Sequence, residues 1–342
     1  MPGSVKKTIY NDRRNIVVDV KQVYSLVKEG LIGVEENFKT LASDNSKSFP
    51  DLHKMLEHIL CGGGKVVRPL LALHSGSLYK YQHEKLVYMA SASELMHIAT
   101  LVHDDAIDKA DVRRGRATIN SIWGVDRAII FGDYLFAKAA QFAVATGSLR
   151  VVGLFAETLE AISHGELRQG FSAYQINQTF EDYLERITGK TAALFALATE
   201  GGAVLGEASE EDIQSMRDYG ISLGISFQIV DDILDFTASE KELGKPVASD
   251  LIQGTMTLPS MMLLERFPGD NPVRRIFNKE GDSRENVKEA IDLLNASDII
   301  EDCYKMASDY SEKARRNLDN MPDTKNRQAL TALADFVVKR KK

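Results

Sequence analysis

Proline is absent from residues 70–245, the interval between Pro69 and Pro246. Because proline removes a backbone donor and clashes with the preceding helical turn, an interval of this length can carry several uninterrupted helices. Apolar residues recur at helical spacing from Ala92 to Ala99 and beyond. No alternation typical of a strand extends beyond a few residues, so we predict an all-α fold and consider a sheet improbable.

The predicted helices are joined by short turns, as in an antiparallel helical assembly. Six of them are predicted at 127–146, 150–174, 180–206, 209–238, 285–296 and 299–318. Residues 240–259 are predicted to form a long loop, and loops of that length in compact domains usually serve a function. Residues 1–50 are expected to form a docked helical extension with a loose connection. No boundary is visible, so we predict one domain over residues 1–342.

The composition excludes several classes of protein. The chain has 42 Lys and Arg against 49 Asp and Glu, a formal net charge of −7, so a nucleic-acid partner is not expected. Two cysteines, Cys61 and Cys303, cannot form a disulfide framework. The longest stretch without a charged side chain, 251–264, is too short to span a bilayer, and the first residues lack the apolar core of a secretory signal. We expect a cytoplasmic protein without a transmembrane segment.

Two copies of the pattern Asp-Asp-x-x-Asp are the strongest functional signal. They comprise Asp104, Asp105 and Asp108, and Asp231, Asp232 and Asp235. On a helix the first and last Asp of each copy share a face and can hold a hard cation such as Mg²⁺. A solvated helix end is the alternative interpretation, which is weakened because both motifs follow apolar runs. Neither copy has the alternating acidic positions of an EF-hand loop.

Cationic residues occur near glycines or helix ends, where backbone amides and charged side chains can bind phosphate together. These residues are Lys65, Arg68, Arg113, Arg114, Lys190 and Lys245. Each taken alone could be a solvated surface residue, and no P-loop is complete, so ATP binding is not supported. Six aspartates and two diphosphates carry about −12, which three Mg²⁺ and these six cations would nearly neutralise. The basic end 339–342 is interpreted as a solvated terminus, with contact to an anionic ligand as the alternative.

Taken together, these motifs resemble the trans-isoprenyl diphosphate synthase (polyprenyl synthetase) family. The matching stretches are 62–69, 94–97, 101–108, 113–115, 132–135, 189–192, 227–235 and 244–246. The resemblance covers roughly residues 50–260. It implies an isoprenoid synthase type helical bundle around a central cavity, usually a homodimer, that couples isopentenyl diphosphate to an allylic diphosphate. Such a reaction is consistent with the absence of an obvious catalytic triad.

The resemblance also implies a role for each matching residue. The ligands of about three Mg²⁺ would be Asp104, Asp105, Asp108, Asp231 and Asp235, and the catalytic set would add Asp232 and Lys190. The allylic diphosphate would be held by Arg113, Lys190 and Lys245. Isopentenyl diphosphate would be held by Lys65, Arg68, His97 and Arg114. Thr191 and Gln228 would present oxygen dipoles to the allylic cation, whereas His103 is expected to be structural.

Two residues depart from the family pattern. Thr255 replaces a common Lys and Ala248 a common Gly, which leaves one diphosphate contact and the closure of that loop in doubt.

The length of the product is a steric question. In the short-chain enzymes of this family, bulky aromatic residues occur four and five residues before the first motif. This chain has Thr100 and Ala99 there, so we expect the cavity to be open at the first turn before Asp104. Met96 or Phe142 could instead form the floor of the cavity that holds the growing chain, farther from Asp104. We therefore expect a product longer than geranylgeranyl, in the hexaprenyl to octaprenyl range.

Several alternatives remain. One is a short-chain farnesyl or geranylgeranyl diphosphate synthase, and another is the regulatory subunit of a heteromeric synthase. An HD-type phosphohydrolase needs more His ligands than the motifs offer, and a class I terpene cyclase usually has a different second motif.

Overall fold

The computed structural model describes residues 20–44, 48–60, 66–113, 115–238 and 247–340. The first five helices are α1 Val20–Leu26, α2 Lys28–Ser43, α3 Pro50–Leu60, α4 Val67–Gly76 and α5 His83–Ile107. A hairpin of two antiparallel strands follows, β1 Val112–Arg113 and β2 Arg116–Ala117. Next come α6 Ile119–Trp123, α7 Val125–Ala145, α8 Leu149–Ser172 and α9 Phe180–Ile187. A π-helical turn, Thr188–Ala192, connects α9 to α10 Ala193–Leu205 and is followed by α11 Glu210–Thr237. The remaining helices are α12 Ser249–Ile252, α13 Leu258–Arg266, α14 Pro272–Phe277, α15 Ser283–Asn295, α16 Ile299–Arg316 and α17 Lys325–Lys339.

The predicted all-α fold is confirmed, with three differences of detail. The helix predicted at 180–206 is interrupted by the π-helical turn. The loop predicted at 240–259 contains α12 and the start of α13. The hairpin of β1 and β2 contradicts the expected absence of a sheet, because a two-residue strand pair is too short to produce alternation in the sequence. The prediction of a single domain stays a prediction.

Local sequence determines where several helices begin. The Ser209 side chain accepts a hydrogen bond from the backbone of Asp212, and three acidic residues follow it in the first turn of α11. Thr179 and Asp182 form a capping box at the start of α9. Both arrangements satisfy backbone donors that a helix start leaves without intrahelical partners, and the acidic groups lie at the positive end of the helix dipole.

Glycines let the core helices approach one another closely. α10 is apolar on most of its surface, is buried along nearly its whole length, and packs against α4, α5 and α11. A Cβ atom at Gly220 would lie 2.6 Å from Ala196 Cα, and one at Gly224 would lie 2.7 Å from Ala192 Cβ. The start of the second acidic motif is seven residues after Gly224, so this contact sets how closely the motif approaches the π-helical turn.

α7 differs from the other core helices in its exposure. By length and composition it is apolar enough to cross a membrane, although only 33% of its most apolar stretch is buried within the chain. The sequence predicts a helix here, but the search for uncharged stretches did not identify it as a possible membrane span, because Asp133 and Lys138 interrupt its apolar sequence. One face of α7 packs extensively on α5. The other face exposes Ile130 and Val144.

The contact at Gly224 gives a stability test. We expect Gly224→Ala to lower the free energy of unfolding by about 1–3 kcal/mol, because the added methyl group meets backbone and Cβ atoms of Ala192. Gly153→Ala is the matched control, since a Cβ atom at this position in α8 meets no atom within 4 Å. The control should raise stability by up to about 1 kcal/mol through helix propensity. Urea denaturation followed by circular dichroism measures both, and equal effects would contradict the packing argument.

Candidate active site

The first acidic motif lies at the carboxyl end of α5, where Asp108 caps the helix. This end carries the negative pole of the helix dipole, so three carboxylates there are electrostatically unfavourable without nearby cations. Asp105 is buried and accepts a hydrogen bond from Arg113 Nε, with 2.6 Å between Nε and Oδ1. The hairpin therefore brings the predicted diphosphate ligand Arg113 back to the motif.

Asp104 and Asp108 are in an environment that opposes their charge. Burial raises the pKa of Asp104, and the nearby carboxylate of Glu166 adds to this, whereas Lys190 acts in the opposite direction. Burial also raises the pKa of Asp108, as does the charge of Asp104. Two carboxyls that repel each other in a buried position would be stabilised by a shared cation.

Among the described cations, Lys190 has the strongest electrostatic effect on Asp104. Its Nζ forms an ion pair with Glu166 Oε1 at 2.6 Å. Burial opposes the charged form of Lys190, but Asp104 and Glu166 raise its pKa overall. The π-helical turn that carries Lys190 fits tightly on α8, because a Cβ atom at Gly165 would lie 2.8 Å from the backbone nitrogen of Lys190. π-helical turns often occur at functional sites, and this one directs Lys190 toward the first motif.

On the other side of the same turn, Thr191 begins a chain of hydrogen bonds into the second motif. Thr191 Oγ1 donates to Gln228 Oε1 at 2.7 Å, and Gln228 Nε2 donates to Asp232 Oδ1 at 2.8 Å. Tyr183 donates its hydroxyl to the other oxygen of Asp232 at 2.8 Å. Burial raises the pKa of Asp232 to about 7, although both donors favour its charged form. The predicted pair of Thr191 and Gln228 is thus in direct contact.

The two other carboxylates of the second motif also contact groups of the protein. Asp235 is buried and accepts hydrogen bonds from Ser249 Oγ at 3.0 Å and from the backbone of Asp250 at 3.2 Å. Asp231 forms an ion pair with Arg340 at 2.6 Å. The interpretation of the basic chain end as solvated is therefore wrong for Arg340, which is buried. A pattern of charges along the chain cannot reveal a partner about 110 residues away.

The donor chemistry of the two motifs fits Mg²⁺, since all five predicted ligands are carboxylates at the negative ends of two helices. Within the described ranges, no three His, Cys, Asp or Glu side chains are grouped so that they could hold a metal ion. Three of these carboxylates instead contact groups of the chain: Asp105 binds Arg113, Asp231 binds Arg340, and Asp235 accepts a hydrogen bond from the start of α12.

Two of the remaining predicted binding residues, Arg68 and His97, lie on described helices. Arg68 is buried on α4, with its guanidinium carbon 4.9 Å from the centre of the Phe195 ring. His97 is half-buried on α5. Three predicted ligands lie outside the described residues, namely Lys65, Arg114 and Lys245. Their roles stay predictions.

Three residues expected to influence product length, Met96, Ala99 and Thr100, lie on α5 within eight residues of Asp104. Met96 and Ala99 are fully buried, and Thr100 donates its hydroxyl to the carbonyl of His97. Further down the helix, the rings of Tyr88 and Phe142 stack with 6.3 Å between their centres. Phe142 was a candidate floor in the sequence, and the structure adds Tyr88 as its partner.

His103 has contacts that support a structural role. Its Nε2 lies 2.9 Å from the carbonyl oxygen of Ile129, and its ring packs against Phe136 on α7. A Cβ atom at Gly132 would collide with the imidazole. His103 thus joins α5 to α7.

The two departures from the family pattern lie beside the second motif. Ala248 has φ 54°, in the left-handed region that favours glycine, and its backbone amide donates to the carbonyl of Asp235 at 2.8 Å. The cost of this conformation is about 1 kcal/mol. Thr255 donates its backbone amide to the carbonyl of Asp250.

Sequence analysis missed several residues that contact the site. They are Glu166, Tyr183, Asp250 and Arg340. Each is a single polar residue distant in sequence from the residue that it contacts, and none belongs to a repeated motif.

Known proteins support the resemblance seen in the motifs. The profile of the family described as polyprenyl synthetase matches residues 49–294. The chain is 36% identical to heptaprenyl diphosphate synthase component 2 of Geobacillus stearothermophilus, over 94% of this chain and 99% of that protein. It is 32% identical to octaprenyl diphosphate synthase of Escherichia coli K12, with the same coverage. It is also 34% identical to a short chain isoprenyl diphosphate synthase of Methanothermobacter thermautotrophicus, over 95% of this chain and 98% of the relative.

The fold has a similarly extensive match. A crystal structure of a polyprenyl synthase from Caulobacter crescentus CB15, complexed with calcium and isoprenyl diphosphate, superposes with a TM-score of 0.88. It is 32% identical, and the match covers 94% of this chain and 98% of the other. The predicted isoprenoid synthase type bundle and the predicted trans-prenyltransferase class are confirmed. The chain belongs to the polyprenyl synthetase family.

Proposed function

We propose that this enzyme condenses isopentenyl diphosphate with an allylic diphosphate, using Mg²⁺, to form an all-trans polyprenyl diphosphate longer than geranylgeranyl. The observation that carries the proposal is the position of the Lys190 turn between the two acidic motifs. Lys190 lies beside Asp104, and Thr191 is linked through Gln228 to Asp232. A site with clustered carboxylates and nearby cations suits the departure of a diphosphate.

Bound Mg²⁺ would neutralise the charge that develops on the departing diphosphate. Its ligands would be Asp104, Asp105, Asp108, Asp231 and Asp235. Lys190 and Arg113, together with Lys245, would bind the allylic diphosphate, and Arg113 would exchange Asp105 for this ligand. Thr191 and Gln228 would direct oxygen dipoles at the allylic cation.

Isopentenyl diphosphate would be bound by Arg68 and His97 together with Lys65 and Arg114. The allylic carbon–oxygen bond would break first and release diphosphate, and the isopentenyl double bond would then attack the allylic cation. The released diphosphate would take the proton that leaves the product, so no side-chain nucleophile is needed. Asp232 would take part through its hydrogen bond with Gln228, which fixes the orientation of that amide.

Replacing one metal ligand in each motif tests this mechanism. We expect Asp104→Asn and Asp231→Asn each to reduce turnover by several orders of magnitude, because each removes charge from the proposed ligand set. Asp309→Asn, at an exposed position of α16, is the matched control and should retain activity. The assay measures radiolabelled isopentenyl diphosphate incorporated into products with dimethylallyl, geranyl or farnesyl diphosphate. Failure of the unmodified enzyme to elongate any of these primers would refute the proposed function.

The proposed length of the product depends on the small side chains of Ala99 and Thr100, one turn before Asp104. Tyr88 lies 11 residues before Ala99 in α5, about three helical turns deeper. The stacked rings of Tyr88 and Phe142 could therefore limit a long chain, in the hexaprenyl to octaprenyl range, rather than a short one. The competing candidate is a farnesyl or geranylgeranyl synthase, in which Met96 would act as the floor.

A bulky side chain at the open turn should shorten the product. We expect Ala99→Tyr to terminate elongation several isoprene units earlier, because a phenol ring would occupy the space next to the first motif. Ala296→Tyr, at the exposed end of α15, is the matched control for the same added volume. Product length is measured by reversed-phase chromatography. Identical product distributions for the two variants would contradict the floor argument.

We further propose that the enzyme is a homodimer. The helices α6–α8 expose a set of large apolar side chains that the described parts of the chain leave uncovered: Ile122, Ile129, Ile130, Val144, Leu149, Leu167 and Phe171. Ile130 and Val144 are about four turns apart on one face of α7, and Leu167 and Phe171 are about one turn apart on α8. Continuous apolar surface of this kind usually marks an interface. A second copy of the chain would bury this surface. We propose that the resulting homodimer is a cytoplasmic enzyme.

Charge on this face should prevent association. Ile130 is 68% exposed, and we expect Ile130→Glu to convert the dimer to a monomer because each subunit would bury an unpaired carboxylate in an apolar interface. Ile32→Glu on α2, where Ile32 is 43% exposed, is the matched control. Light scattering after size exclusion measures the mass. A monomeric unmodified protein would refute the homodimer, and elongation by the protein alone would argue against a role as a regulatory subunit.

A further inference from the structure

The last described residue of the chain, Arg340, contacts Asp231 of the second acidic motif. It follows the end of α17 in an extended conformation, and 7% of its surface is exposed. Its Nη2 lies 2.6 Å from Asp231 Oδ1 and donates a hydrogen bond of 2.6 Å to the carbonyl of Phe227. The guanidinium carbon also lies 3.7 Å from the centre of the Phe227 ring.

These contacts form a site fitted to one guanidinium. The ion pair with Asp231, the backbone carbonyl and the aromatic face compensate for the removal of a charge from water. The Phe227 ring in turn packs on Phe195, with 5.2 Å between ring centres, and the other guanidinium, that of Arg68, lies over Phe195. Two arginines, Arg68 on α4 and Arg340 after α17, therefore flank one aromatic pair between α10 and α11.

The compensation for Arg340 is incomplete. Its Nε atom is buried and has no hydrogen-bond partner among the described residues. A buried donor without a partner is costly, so this arrangement does not minimise the free energy of Arg340 itself. The arrangement does supply a positive charge to Asp231, at the negative end of α11.

We propose that Arg340 is an internal counterion that occupies Asp231 until a divalent cation binds there, so that metal binding releases the C-terminal end of the chain. The inference rests on the proposed role of Asp231 as a metal ligand. The guanidinium 2.6 Å from Asp231 Oδ1 already neutralises this carboxylate, and its positive charge repels a second cation bound at the same group. Metal and Arg340 are therefore competitors, and by linkage each weakens the other to the same degree.

Manganese binding measures the competition without any substrate. Free Mn²⁺ is counted by electron paramagnetic resonance in titrations of the substrate-free enzyme. We expect Arg340→Gln to bind Mn²⁺ roughly tenfold more tightly, as expected when one charge-assisted contact no longer has to be broken. Arg316→Gln, which removes an exposed charge on α16 distant from the motif, is the matched control and should bind as the unmodified enzyme does.

Release of the chain end is measured separately on the unmodified protein. Carboxypeptidase B removes C-terminal Lys and Arg residues, and mass spectrometry of the intact protein follows the loss of Arg340 after Lys341 and Lys342. We expect Mn²⁺ to accelerate the loss of Arg340 several-fold, and we expect no such acceleration in Asp231→Asn, which lacks the competition for the carboxylate.

The outcomes separate this inference from the proposed function. If Asp231→Asn binds Mn²⁺ as tightly as the unmodified enzyme, the ligand role of Asp231 is wrong. If Asp231→Asn loses Mn²⁺ binding while Arg340→Gln binds Mn²⁺ with unchanged affinity, the ligand role holds and the counterion proposal is wrong. A rate of Arg340 removal that Mn²⁺ does not change would also overturn the counterion proposal.

Discussion

Negative charge held at the carboxyl ends of two helices is the constraint on which the site depends. Six aspartates lie in the last turns of α5 and α11 or cap α5, several of them are buried, and each helix end adds its own negative pole. Without compensation such an arrangement would destabilise the fold. The chain places two cations at the first motif, where Arg113 binds Asp105 and Lys190 lies beside Asp104, and one at the second, where Arg340 binds Asp231.

These compensating contacts depend on close packing of the backbone. The π-helical turn can present Lys190 to one motif and Thr191 to the other because glycines bring it against two helices. Gly165 provides the approach to α8, and Gly224 provides the approach to α11. A Cβ atom would lie 2.8 Å from the backbone nitrogen of Lys190 at Gly165 and 2.7 Å from Ala192 Cβ at Gly224, so either methyl group would force the elements apart. The chemistry of the site is therefore fixed by small residues that contribute no chemistry themselves.

The same balance of charge suggests how the site changes when substrates arrive. Arg113 and Lys190 are proposed diphosphate ligands, and both are now paired with carboxylates, Asp105 and Glu166. When metal and diphosphate bind, the proposed metal ions would neutralise the aspartates, and Arg113 and Lys190 would pair with the diphosphate in place of these carboxylates. Arg340 fits this scheme, since it is the cation that leaves when a metal ion arrives at Asp231.

The sequence by itself determined the helical class, the two acidic motifs, and the residues that repeat a recognisable pattern around them. Periodicity, the missing prolines and the spacing of Asp104 to Asp108 are local properties, so they are legible without a structure. Thr191 and Gln228 were also foreseeable as site residues, through the resemblance. The partners Glu166, Tyr183 and Arg340 were decided only by the tertiary structure, as were the exposed faces of α7 and α8. The physical reason is that a buried charge needs a counter-charge at contact distance, and only the packing of the helices decides which distant residue supplies it.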